Sequence, residues 1–223
     1  METATASRHS TTHTVQSVRD LTDSTYVLRM DRHNMSFSPG QYISLGVNDD
    51  INMREYSVYS GVDQDFLEVI VKEVDNGHVS KLLRRLKPGQ SVRLDGPFGF
   101  FTIDPETRQN ADFLFVATGT GISPFHCFAL SYPELRYTLL HGVRTSEECY
   151  DNDVFPADRY TPCISRESSA HFNGRVTEYI RQNPVKPETK CYLCGNCDMI
   201  YEAFDILTDQ GVPAENLFAE VYF

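Results

Sequence analysis

The sequence predicts two domains in 223 residues, an antiparallel β-barrel followed by an α/β domain built on a parallel sheet. The length is enough for two cores of about 100 residues each. Up to residue 103 the apolar residues fall into short β-prone runs separated by turn residues, which is the spacing of an antiparallel barrel. From residue 112 onward, apolar strand-like runs alternate with helical segments, the pattern of a parallel sheet covered by helices.

In chain order, residues 1–13 are polar, lack apolar periodicity and are expected to form a mobile tail. The barrel domain is expected over 14–104, with strands at 14–19, 25–30, 42–46, 55–60, 66–74 and 91–94. One helix interrupts it at 79–86, because Val79, Leu82, Leu83 and Leu86 repeat at helical spacing and Pro88-Gly89 ends the run. The polar stretch 104–110 reads as an exposed linker. The second domain, 105–223, is expected to hold strands at 113–117, 137–141, 160–165 and 190–194. Helices are expected at 124–130, 176–182 and 199–209, with Ser123 as N-cap and Pro124 as the first helical residue of the first of them.

A formal charge of −11 and a pI near 5.0 exclude general nucleic-acid binding, which needs a basic face. No apolar run approaches the roughly 20 residues that span a bilayer, and residues 1–14 lack the apolar core of a signal peptide, so a soluble cytoplasmic protein is expected. Cys191, Cys194 and Cys197 form C-x-x-C-x-x-C, which could contribute to an iron–sulfur cluster. The competing reading is a buried strand, whose alternation would point the thiols in opposite directions. No metal is expected.

Six short motifs carry chemistry. In Arg54-Glu55-Tyr56-Ser57 a guanidinium can clamp a pyrophosphate, an aromatic ring can lie against a flavin, and a hydroxyl can approach the flavin's reactive nitrogen. Gly77-His78-Val79-Ser80 opens the barrel helix, where free N–H groups can meet phosphate oxygens. Thr118-Gly119-Thr120-Gly121 lies between a strand and a helix, where small residues let the backbone approach a pyrophosphate. Ser165-Arg166 and Arg175 could surround a 2′-phosphate, although the neighbouring Glu167 carries the opposite charge. Cys194-Gly195-Asn196 follows the last predicted strand. The sequence then ends in Glu220-Val221-Tyr222-Phe223, whose aromatic rings require something to pack on.

Taken together with Asp95-Gly96-Pro97-Phe98-Gly99, these motifs resemble the ferredoxin–NADP reductase family over residues 14–223. The resemblance implies an FAD-binding barrel preceding an NADP-binding α/β domain. It implies that Arg54, Tyr56, Ser57, His78, Val79, Ser80 and Thr120 contact FAD, and that the Ser165, Arg166 and Arg175 site binds the 2′-phosphate of NADP, beside Thr118, Gly119 and Gly121 of the cofactor-binding turn. Cys194 would face the nicotinamide, Glu220 would relay protons with Ser57, and Tyr222 would stack on the isoalloxazine ring. Phe223, which follows the tyrosine that ends plant-type members, would shield FAD.

The implied activity is electron transfer between NADPH and a one-electron carrier, ferredoxin or flavodoxin, through FAD. Lys81, Arg84, Arg85 and Lys87 on the barrel helix are the expected docking patch for such an acidic carrier. Two alternatives stand beside it. One is an NADH-dependent oxygenase-type or free-flavin reductase, and the other is a non-catalytic electron-transfer subunit with a cluster.

Overall fold

The computed structural model describes residues 11–48 and 50–222. Six strands form the first sheet: β1 (Thr11–Thr22), β2 (Thr25–Asp31), β3 (Tyr42–Val47), β4 (Arg54–Ser57), β5 (Phe66–Lys72) and β6 (Ser91–Phe98). They run in the order β4-β3-β6-β1-β2-β5, with antiparallel pairing throughout. The chain leaving β4 closes the sheet on itself, since Tyr59 donates its N–H to the Glu68 carbonyl at 2.8 Å. Helix α1 (Val79–Arg84) is shorter than the apolar repeat suggests and buries Val79, Ser80 and Leu83.

The second sheet contains β7 (Asp112–Thr118), β8 (Arg136–Val143), β9 (Tyr160–Ile164), β10 (Phe172–Asn173), β11 (Lys190–Gly195) and β12 (Leu217–Val221). Its order is β10-β9-β8-β7-β11-β12, and every pair is parallel. Alternation sends Leu114, Val116, Leu140, Cys191 and Leu193 into one core with α4 (Val176–Gln182) and α5 (Cys197–Asp209). Phe113, Phe115, Leu139, Tyr192 and Cys194 enter the other, beneath α3 (Ser123–Ser131). That second core also takes in Val27, Tyr59, Ile70 and Phe101 from the barrel side, so the two domains share one apolar seam.

Polar contacts reinforce the seam. Both terminal guanidinium nitrogens of Arg19 donate to the Asp151 carboxylate, at 3.0 and 2.7 Å, and Tyr59 donates its hydroxyl to the same group at 3.0 Å. His126 on α3 stacks on Tyr59 with ring centroids 3.7 Å apart, and burial pushes its pKa down to about 4.

The structure corrects several expectations. The strand expected to start at 14 starts at Thr11 and buries His13, because residues 11–14 pair with β6; residues 1–10 lie outside the described residues. The expected linker at 104–110 is a short helix, α2 (Pro105–Asn110), since Asp104 accepts the N–H groups of Glu106 and Thr107 and Pro105 suits the first helical turn. Ser123 does not cap α3. A 3₁₀ turn over Gly119–Ile122 already starts the spiral, and Ser123 instead donates its hydroxyl to the Ser57 carbonyl at 2.9 Å. The unforeseen β12 pairs Cys194 with Glu220. No helix among the described residues is long and apolar enough to cross a membrane.

Candidate functional site

In an open parallel sheet the crevice forms at the carboxyl ends of the strands where the order reverses, here between β7 and β11. Thr118 ends β7, and Gly195 ends β11. Thr118 Oγ1 accepts the Asn196 N–H at 2.9 Å, tying the two strand ends together. Gly121 packs so closely beneath β11 that a Cβ there would lie 2.3 Å from the Cys194 carbonyl oxygen. A Gly121→Ala variant should therefore lose about 1–3 kcal/mol of stability through backbone displacement, read as a lower midpoint in chemical denaturation; an unchanged midpoint would show that the turn accommodates the methyl group. Gly119 has φ +53° and open space at its Cβ position, so its backbone faces the crevice bare.

A cavity of about 600 Å³ opens from this point. Thr118, Gly119, Thr120, Asn196 and Tyr222 line one part of it, and Ser165, Arg166 and Arg175 line another. Sequence reasoning missed Arg144 and Thr177, which line it too. Thr177 Oγ1 is buried without a hydrogen-bond partner, a polar atom left for a ligand to satisfy. Among the described residues no carboxylate reaches ion-pair distance of Arg144, Arg166 or Arg175. Glu167 is not among the lining residues. Its carboxylate accepts the Ser146 N–H at 2.7 Å as well as the Ser146 hydroxyl, and these bonds hold its pKa below the usual range. Behind the turn, the buried His141 bridges the Gly119 carbonyl (2.8 Å) and the Tyr160 hydroxyl (2.9 Å), and burial lowers its pKa to about 4. Being neutral, it fixes the turn with one donor and one acceptor.

Four side chains meet where the carboxyl-terminal strand crosses the barrel. Ser57 donates to Glu220 Oε2 at 3.0 Å and accepts from the Tyr222 hydroxyl at 2.7 Å. Tyr222 also faces the thiol of Cys194, and burial raises both groups well above their ordinary pKa values. Glu220 is raised to about 7, chiefly by burial, with Glu55 adding repulsion and the Ser57 hydrogen bond opposing. Cys191 and Cys194 lie on opposite faces of β11, in separate cores. The three thiols of the C-x-x-C-x-x-C run are therefore not placed to share a cluster.

On the barrel side, Arg54 is exposed and donates to the neighbouring Met53 carbonyl at 2.8 Å, while Tyr56 is half-buried and raised to about 12 by burial. His78 is held by Asp50, and the Val79 side chain is buried in the barrel core, leaving only its backbone for a ligand. Ser80 Oγ is buried and has no hydrogen-bond partner. Phe223 lies outside the described residues. The expected basic patch shrinks. Arg84 pairs with Asp20 (2.9 Å) and Glu73 (3.5 Å) and lies over the Tyr26 ring, and Lys81 donates to the Asp75 carbonyl, so only Arg85 and Lys87 project as exposed charges.

Residues 12–103 match the family model described as an oxidoreductase FAD-binding domain. The chain is 28% identical to the flavodoxin/ferredoxin–NADP reductase of Rhodobacter capsulatus, across 89% of this chain and 86% of that protein. It is equally, 28%, identical to the toluate 1,2-dioxygenase electron transfer component of Pseudomonas putida, of which it spans 66%. A ferredoxin–NADP⁺ reductase structure from Neisseria gonorrhoeae, with bound FAD and NADP, superposes with a TM-score of 0.84 at 26% identity, covering 96% of this chain and 99% of that one. Residues 12–103 thus carry an oxidoreductase FAD-binding domain, and barrel, parallel sheet and sequence together make the whole chain similar to the ferredoxin reductase-type proteins.

Proposed function

We infer that the chain takes electrons from NADPH and delivers them singly to a small acidic carrier, ferredoxin or flavodoxin. The observation that carries the donor reading is the single cavity joining Tyr222 and the Gly119 turn to Ser165, Arg166 and Arg175, with Glu167 turned away to Ser146. Guanidinium groups without carboxylate partners suit a 2′-phosphate, and they share the cavity wall with the acids Glu148, Asp198 and Glu202. The likeness to the Rhodobacter capsulatus reductase, over 86% of that protein, supports the carrier reading.

The barrel residues fit FAD. The orphaned Ser80 hydroxyl and the exposed Arg54 guanidinium provide a donor and a cation for its pyrophosphate, and Tyr56 offers an aromatic face to its ring. Bound FAD supplies the conversion between two-electron hydride chemistry and one-electron transfer, which side chains alone do not perform. Ser57 holds a hydroxyl between Glu220 and Tyr222, and Glu220, titrating near 7, can hold or release a proton at Oε2 under neutral conditions. Tyr222 lines the nucleotide cavity, and stacked on a bound flavin it would have to turn aside for a nicotinamide to reach that face. Cys194, kept protonated by burial, contributes shape there instead of a nucleophile.

The likeness to the toluate dioxygenase component favours a second reading, an NADH-dependent oxygenase reductase. Anaerobic stopped-flow reduction of the FAD-loaded protein by NADPH and by NADH, followed by addition of ferredoxin or flavodoxin, separates the two. Faster reduction at lower concentration by NADPH, with carrier reduction, is expected. A preference for NADH, or no transfer to either carrier, would overturn the proposal in favour of the oxygenase type.

A further inference from the structure

The start of β1 and the end of β2 bring together three metal-ligating side chains that neither the flavin nor the nucleotide reading uses. His13, Asp31 and His33 each offer one ligand atom, and these atoms all lie within 4.8 Å of one another. Asp31 Oδ1 stands 3.2 Å from His13 Nδ1 and 3.0 Å from His33 Nε2. Ligands of a tetrahedral zinc ion, bound at about 2.0–2.2 Å, stand roughly 3.3–3.5 Å apart. Those two edges are therefore within a few tenths of an ångström of a zinc polyhedron, on the order of what side-chain adjustment supplies.

The surroundings favour a cation. Asp31 Oδ1 is buried yet makes no well-directed hydrogen bond, although two imidazole nitrogens lie beside it. A carboxylate oxygen left in that state is costly, and an ion between the three groups would satisfy it. Its other oxygen is fixed by the Thr14 N–H at 2.7 Å. His13 is 2% exposed, so its ring position is set by packing. Its Nε2 lies 2.9 Å from Thr11 Oγ1, the kind of outer contact that selects the tautomer of a metal-bound imidazole. His33 sits at φ +48°, a backbone state that non-glycine residues seldom adopt, and there its Nε2 lies beside Asp31. His13 Nδ1 and His33 Nε2 also face the carbonyls of Asp31 (2.8 Å) and Thr12 (3.2 Å), contacts that an ion would replace.

We propose that His13, Asp31 and His33 form a Zn²⁺ site, with water completing the coordination. Two imidazoles and one carboxylate suit zinc better than calcium or magnesium, which take oxygen ligands. None of the three residues lines the nucleotide cavity. The ion would clip the beginning of β1 to the chain leaving β2, and it would steady the barrel without entering electron transfer.

Untagged, FAD-loaded protein is stripped with a chelator and taken to equilibrium dialysis against Zn²⁺, with bound metal and the thermal midpoint measured. One Zn²⁺ per chain is expected, with a raised midpoint. Affinity should fall at least about tenfold in His33→Asn and in Asp31→Asn. His33 is exposed and asparagine tolerates its backbone state, so that variant tests the site even if one at His13 fails to fold. Absence of binding in the wild type, or equal binding in wild type and His33→Asn, would overturn the proposal.

Discussion

Replacing Arg166 and Arg175 together by alanine is expected to weaken NADPH about a hundredfold, since each charge-assisted hydrogen bond contributes roughly 1.5–3 kcal/mol when desolvated and less when exposed. Both side chains are exposed at the cavity edge, which places the effect at the lower end for two contacts. NADH lacks the 2′-phosphate and should bind almost unchanged, so the ratio of the two kcat/KM values is the informative quantity. A variant in which both nucleotides weaken equally would move the arginines to the pyrophosphate. One in which neither weakens would end their role. Glu167→Gln provides the control, and it should leave the preference alone because that carboxylate is already engaged by Ser146.

Glu220→Gln should make the protein more stable above pH 7 and about a hundredfold slower, the usual scale of a lost acid–base group. Burial raises the folded-state pKa of Glu220 to about 7, whereas in the unfolded chain it returns to about 4.3. Between those values the folded protein holds a proton that the unfolded chain releases. The stability this contributes is complete below about pH 4.3, declines as pH rises through the window, and is lost above 7. Glutamine carries no charge at any of these pH values, and its carbonyl oxygen still accepts from Ser57. Thermal midpoints measured from pH 5 to 8.5 should therefore fall with pH in the wild type more steeply than in the variant. Parallel profiles would show that Glu220 does not titrate in this range. A gain in stability at the cost of turnover is what an active group held in an unfavourable environment produces.

How much of this was legible in the sequence depended on how local the determining contacts are. The two sheets were readable because short apolar runs and the helical spacing between them are properties of neighbouring residues, as in the run Phe113 to Ala117. The glycine-rich turn was readable for the same reason. The cap was not, because the choice between Ser123 and the 3₁₀ turn before it rests on the Ser57 carbonyl, 66 residues away. Arg84 looked like its neighbours in a basic run, and only folding brought Asp20 and Glu73 to it. The meeting of Ser57 with Glu220 spans 163 positions and followed from the family resemblance alone. Arg144 and Thr177 carried no local signal, since lining a cavity is a property of the assembled sheet.

The bond from Ser123 to the Ser57 carbonyl has a bearing on how such proteins diversify. Together with the stacking of His126 on Tyr59, it means that the segment carrying Ser57 is held by a helix encoded in the other half of the chain. Swapping one half for that of a relative would break a hydroxyl contact, a ring stack and the Arg19–Asp151 pair at once. The smallest inheritable cassette is thus the barrel plus the chain through α3 as far as Asp151, and a crossover placed at the apparent domain boundary near residue 104 would separate parts that have to be matched to each other.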